Sequence, residues 1–328
     1  MSLALRRIQV GLETVRGTPV AADKILVGAI TLTPHLELNE PEDEERNSLA
    51  LTHQSEIVGQ WTTMRFDANC RFQQIIDLLA MTLQGGVTPT TPGGGTNSRL
   101  WTFTPTLDAL NVQDSYTFEV GDSQQEYECG FVVGESMELT YEFNQPIKIS
   151  ASLFGEYLAK STFTGSLTIP TLESAITAKT KLYIDSSWAN LGTTQVTGTL
   201  GSARITLPSG LQRVWTGEGA LDFSTVSENK RRAEIELLLV HNASGVAEYD
   251  KYVSRALNFV RLETEGSIIE GAIPYTLTVD MALRYNGDPN LRDQHMGLNA
   301  IRLTGASFED PTSGNDFQVS VINQETAL

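Results

Sequence analysis

The feature that most constrains this chain is residues 63–84, TMRFDANCRFQQIIDLLAMTLQ, where the hydrophobic period changes in mid-run. Met64, Phe66, Ala68 and Cys70 alternate with Thr63, Arg65, Asp67 and Asn69, the two-residue period of a strand with one face in a core. The period then lengthens, and Phe72, Ile75, Ile76, Leu79, Ala80 and Leu83 fall along one side of a helix. Asn69 is the expected N-cap and Gly85-Gly86 the expected stop. A strand leading straight into such a helix needs a sheet for the helix to pack on.

The same unit returns. EIELLLV at residues 234–240 reads as a strand, and VAEYDKYVSRAL at 246–257 as a helix with Val246, Tyr249 and Val253 on one side. AITLTPHLEL (29–38) is echoed by ARITLPSGLQ (203–212), with Ile30 and Ile205 about 175 residues apart. The two expected helices keep nearly the same spacing. We read two similar halves: 1–160, an N-terminal arm and a first β unit, and 161–328, a linker and a second. Chance similarity between β-rich segments is the alternative.

Composition narrows the function classes. A net charge of −17, from 23 Lys+Arg against 40 Asp+Glu, argues against a grip on nucleic acid. It suits a surface that DNA passes without sticking. Hydrophobic residues at 40% are enough for a sizeable core in 328 residues. Cys70 and Cys129 lie in strand-like runs and read as small buried hydrophobes. No apolar run reaches the roughly 18 residues of a membrane span. The start, MSLALRRIQVGLE, lacks a signal peptide's apolar region and cleavage site, so synthesis in a cytoplasm is expected.

Along the chain, residues 1–24 read as an arm with no core of its own. Residues 39–60 form a long polar loop, with Glu40, Glu42, Asp43, Glu44, Glu45 and Arg46 crowded at its start. Loops of that length are usually functional or disordered. Residues 85–98, GGVTPTTPGGGTNS, read as a mobile surface loop. Strands follow at 100–105, 115–120, 135–143 and 147–158, with a Thr/Ser/Ala-rich join over 159–180. Second-half strands are expected at 181–185, 195–207, 234–240, 258–264, 275–285, 300–304 and 317–322. The second-half counterpart of the long loop, 208–233, ends basic in Lys230, Arg231 and Arg232, which makes these candidate partners for the acidic loop of a neighbouring copy. In ESMELTYEF, Glu138, Thr140 and Glu142 share one face while Met137, Leu139, Tyr141 and Phe143 share the other.

No catalytic constellation emerges. His35, His53, His241 and His295 stand alone, without metal-ligand spacing. Gly93-Gly94-Gly95 precedes polar loop and no helix that could cradle phosphate. The 42–45 cluster lacks the geometry of a calcium loop. Neither enzymatic activity nor a cofactor or metal is expected.

Three stretches carry a resemblance: VGLETVRGTPVAADKILVG from Val10, LYIDSSWANLGTTQVTGTL from Leu182 and DFQVSVINQETAL from Asp316. In order, and over most of the chain, they resemble the major tail (tail tube) proteins of long-tailed bacteriophages. The resemblance implies a mainly β fold, with β-sandwich units each flanked by an α-helix. It implies rings whose inner strands share one β-barrel, stacked into a tube around a tape-measure protein that later conducts DNA. The partners it implies are other copies of the chain together with tape-measure, tail-terminator and tail-tip proteins, in a virion tail built in the host cytoplasm without membrane insertion. The arm and the 39–60 loop would contact the adjacent ring, and Glu138, Thr140 and Glu142 would face the lumen. Rings in this family have six-fold geometry, so a chain with two units is expected to close a ring with three copies; a decoration on a six-chain ring is the alternative. A tube subunit of a contractile injection or secretion system, and a β-sandwich carbohydrate-binding adhesion module, remain open. The adhesion reading wants clustered aromatics, and the four tryptophans, 61, 101, 188 and 215, are scattered in sequence.

Overall fold

The computed structural model describes residues 5–42, 45–217 and 219–328. In chain order the first half holds β1 (Arg7–Leu12), β2 (Lys24–Ile25), β3 (Ala29–Asn39), β4 (Glu56–Asn69), α1 (Ile75–Thr82), β5 (Arg99–Phe103), β6 (Tyr116–Gly121), β7 (Glu126–Glu142), β8 (Lys148–Gly155) and β9 (Ala159–Ser161). The second holds β10 (Thr180–Asp185), β11 (Gln195–Val196), β12 (Leu200–Pro208), β13 (Leu211–Val214), β14 (Thr225–Glu228), β15 (Glu234–Val240), α2 (Ala243–Ser254), β16 (Asn258–Glu270), β17 (Ile273–Tyr285), β18 (Asn290–His295), β19 (Leu298–Ser307) and β20 (Phe317–Asn323). The fold is mainly β, and all its strand ladders are antiparallel.

The pairing order is informative. In the first half the ladders run β2–β1–β6–β7–β8–β4–β3. In the second they run β11–β10–β16–β17–β19–β15–β12. Each order places a helix directly after its next-to-last strand: α1 after β4, α2 after β15. The two runs join where β12 pairs with the outer part of β7, Ile205 opposite Leu139 and Ala203 opposite Tyr141. A second join is β20, which lies between β17 and β5.

The sheet from β3 through β4, β8, β7, β12 and β15 to β19 alternates over the central part of its strands. Met64, Phe66, Leu139, Tyr141, Ile205, Leu237 and Leu303 are buried on one face. Arg65, Asp67, Glu142 and Lys148 stand on the other. That is the signature of an antiparallel sheet with one wet face. The buried face packs with α1, with Trp101 and Phe103 of β5 and with Phe317, Val319 and Val321 of β20 in one apolar cluster through both halves.

Several expectations need correction. The residues read as a coreless arm include β1, whose Ile8 and Val10 are buried and whose six residues pair with β6. Helix α1 begins at Ile75, later than expected. Its N-cap is Gln74, which makes no side-chain cap bond; Asn69 instead ends the β4–β8 ladder opposite Lys148. All eight residues of α1 are buried, so it is a core helix and not a one-sided one. Helix α2 does the reverse: its expected inner side faces out, with Val246 38% and Val253 62% exposed, while Glu248 is buried. Burial of Glu248 is tolerated because Tyr285 Oη (2.8 Å) and Lys251 Nζ (2.6 Å) donate to its carboxylate.

The Gly-rich 85–98 loop is fastened, where a mobile loop was expected. Backbone N–H groups of Thr96, Asn97 and Ser98 and the hydroxyls of Thr96 and Ser98 all donate to Glu270 at the β16–β17 turn. These donors hold that carboxyl down to a pKa of about 2. Both cysteines are buried and free.

Candidate assembly surfaces

Three surfaces have no use inside the chain. The first is the polar face of the long sheet, where Glu138, Thr140 and Glu142 stand as their alternation requires, with Met137, Leu139 and Tyr141 buried behind them. Acidic groups there are laced with cations across strands. Arg204 of β12 pairs with Glu138, and Lys148 of β8 reaches Glu142 at 3.4 Å. Arg302 of β19 joins Glu236 of β15 to Asp293 of β18, the latter at 2.7 Å. The face is therefore of mixed charge, less acidic than β7 alone suggests. Its cross-strand pairs are partly exposed, each worth less than about 1 kcal/mol, so their effect is on register and surface potential more than on stability.

The second surface is a pair of sheet edges, β3 and β18. Among the described residues β3 pairs only with β4, and β18 only with β19. An unpaired edge presents a row of N–H and C=O groups that template another strand. The outer parts of β3 and β4 form a long hairpin exposed on both faces, with Leu36 at 44%, Leu38 at 50%, Ile57 at 42% and Val58 at 50%. A hairpin this apolar and this unprotected is unusual for a chain that stays alone in water.

The third is the acidic segment at the tip. Glu42 and Glu45 are exposed; Glu40 accepts a bond from Ser55 Oγ at 3.0 Å. Asp43 and Glu44 lie outside the described residues. Arg46 is turned inward on its own loop, donating to the carbonyls of Ala50 (2.8 Å) and Leu51 (2.6 Å). Of the basic trio expected to meet such a segment, Lys230 and Arg232 are exposed but Arg231 is not free. Its side chain is 7% exposed, paired with Glu228 and donating to the Thr106 carbonyl at 2.8 Å.

Folding brings together residues that the sequence scatters. Trp61 meets Trp215 edge-on at 5.7 Å, stacks on His35 at 5.0 Å and lies under Arg213 at 5.2 Å. The tryptophans are thus not all dispersed. Trp61 is partly buried in this cluster, and Trp215 is 41% exposed. The cluster ties the β13–β14 hairpin to β4, helped by Gln60 Nε2 donating to Asp222 at 2.8 Å. Asp222 also accepts from the Tyr157 amide at 2.7 Å.

Beside it the Glu156 carboxyl is pushed up to about 7, first by burial and then by the charges of Asp222 and Glu13. Glu13 is itself saturated by the amides of Gly17 and Phe131 and the hydroxyls of Ser115 and Thr117. That bonding holds Phe131 in its left-handed conformation (φ 51°), at the corner where β7 passes from one sheet to the next.

Among the described residues no group of three or more His, Cys, Asp or Glu side chains could hold a metal, and no helix is long and apolar enough to cross a membrane. No protein-family model matches the chain, and no curated protein is significantly similar to it.

Proposed function

We propose that the chain is a structural subunit that closes into rings and stacks into a hollow tube, with the tail-tube role that its resemblance to phage major tail proteins implies. The observation that carries this reading is the β7–β12 junction. Each half has the same pairing order, and β7 of the first half is sealed by β12 of the second. In that order β12 holds the place of β3, while β17 with β18 holds the place of β7. Two of the edges left unpaired among the described residues, β3 and β18, are therefore the two halves of the same junction. A copy that pairs its β3 with the next copy's β18 repeats between chains the contact already made within one.

The two halves then act as tandem units, and three chains supply six positions around a shared barrel. The polar face carrying Glu138, Thr140 and Glu142 lines the lumen, where few uncompensated cations meet passing DNA. Tape-measure, terminator and tip proteins are its further partners in a virion tail. The role needs no catalytic group. Fusing two units halves the number of associations needed to close a ring, and with it the translational and rotational entropy lost. Negative-stain microscopy of purified protein, with sedimentation across a concentration series, tests the proposal. Rings or long hollow tubes are expected; a monomer at every concentration would overturn it.

A further inference from the structure

We infer that a cleft walled by arginines binds the acidic segment following β3 in a second copy of this chain. The cleft, of about 530 Å³, is lined by Arg231 and Arg232 before β15, Arg255 at the end of α2, Arg284 of β17, Phe308 and Asp316. Arg231 is neutralised by Glu228. Arg232, Arg255 and Arg284 have no carboxylate partner among the described residues. Arg255, held in a left-handed conformation (φ 57°), gives one bond to the Tyr285 carbonyl at 3.3 Å. Arg284 lies over the Phe308 ring at 4.1 Å, and its Nε is buried with no hydrogen-bond partner.

Two acids share the cleft wall, Glu309 and Asp316. Asp316 is a weak counter-ion: its oxygens are engaged by the Phe317 amide (2.9 Å) and Ser307 Oγ (3.3 Å), and burial raises its pKa. In a chain of net charge −17, three cations converging on one opening repel each other until an anion arrives. Guanidinium forks match carboxylates in geometry as well as charge.

Five of the six residues 40–45 are acidic, and among the described ones Glu42 and Glu45 are exposed. The tip also exposes Leu49 and Leu51, and the cleft rim exposes Leu107 and Phe308, so apolar contact can accompany the charge pairing. The inference depends on the self-assembly reading for the source of the ligand, and its test is separate from tube formation.

The probe is a labelled synthetic peptide of residues 38–52, titrated into the full-length chain by fluorescence anisotropy over a sodium chloride series. Saturable binding that weakens with salt is expected. R232Q/R255Q, two exposed sites whose melting temperature should match wild type, should weaken it at least tenfold, as should a peptide with E42Q, D43N, E44Q and E45Q. Equal binding to the doubly substituted chain would overturn the site. Displacement of the peptide by inorganic phosphate at equal or lower concentration would overturn the segment as its ligand. Tubes without peptide binding count against the cleft alone; peptide binding by a chain that never assembles counts against the tube alone.

Discussion

The two halves share a pairing order but invert what they hide. In the first, the helix is drowned in the core and the hairpin stands free. In the second, the helix lies on the surface and the hairpin is folded down. Helix α1 packs against β7 and β5 inside the apolar cluster that also takes in Phe317, Val319 and Val321 of β20, whereas α2 lies against β17 and β19 with most of its residues outside the core. The β13–β14 hairpin is held by Trp215, Phe223 and Asp222 against the first half, whereas the β3–β4 hairpin extends beyond any such support. Parts in matching places of the two pairing orders thus differ, one packed into the chain and one left exposed. The open parts are the first hairpin and the outer side of α2.

The comparison is broken most directly at the helices. Leu79→Ala in α1 should cost about 2–5 kcal/mol in urea melts, since Leu79 is fully buried. Val253→Ala in α2 should stay within about 0.5 kcal/mol for the isolated chain. Similar losses would mean that the halves are not differently packed.

Lys24→Met sharpens the same point. It strips Asp77 of a 2.9 Å ion pair at a site where the carboxylate is 3% exposed. A loss of about 3 kcal/mol is expected at pH 7. Burial already raises the Asp77 pKa, so the loss should shrink as pH falls and the carboxyl takes a proton.

The hairpin side gives a smaller effect of opposite sign. Glu156 has a folded pKa of about 7 against an ordinary 4.5, so the folded state favours its protonated form. Its contribution is favourable below the ordinary value and is lost as pH rises through 7. Glu156→Gln should therefore stabilise the chain by about 1 kcal/mol at pH 8, discounted for partial exposure, with no gain at pH 4. Thermal melts at the two pH values check it.

Much of the fold was legible where one face alone is buried. The alternation at Met64–Phe66 and at Glu138–Thr140 reads directly as strand, because each side chain's environment follows from the two-residue period. It failed at β1, which is buried on both faces: Gln9 is fully buried, donating to Thr164 O at 2.8 Å, and its polarity hid the strand. The α2 face was misread because a carboxylate, Glu248, took the inner position through the Tyr285 hydroxyl. The tip's acidic residues were visible as a run. The arginine cleft was not, since Arg232, Arg255 and Arg284 come from three separate elements and only the antiparallel return of β17 beside β19 places them together.

Electron cryomicroscopy of the tube cross-section tests the central claim most directly. The account predicts a three-fold ring of six β units, with β3 of each chain paired to β18 of the next. Buried α1 helices should alternate with exposed α2 helices around one barrel. A ring of six chains, each contributing only its first half to the barrel, would contradict it.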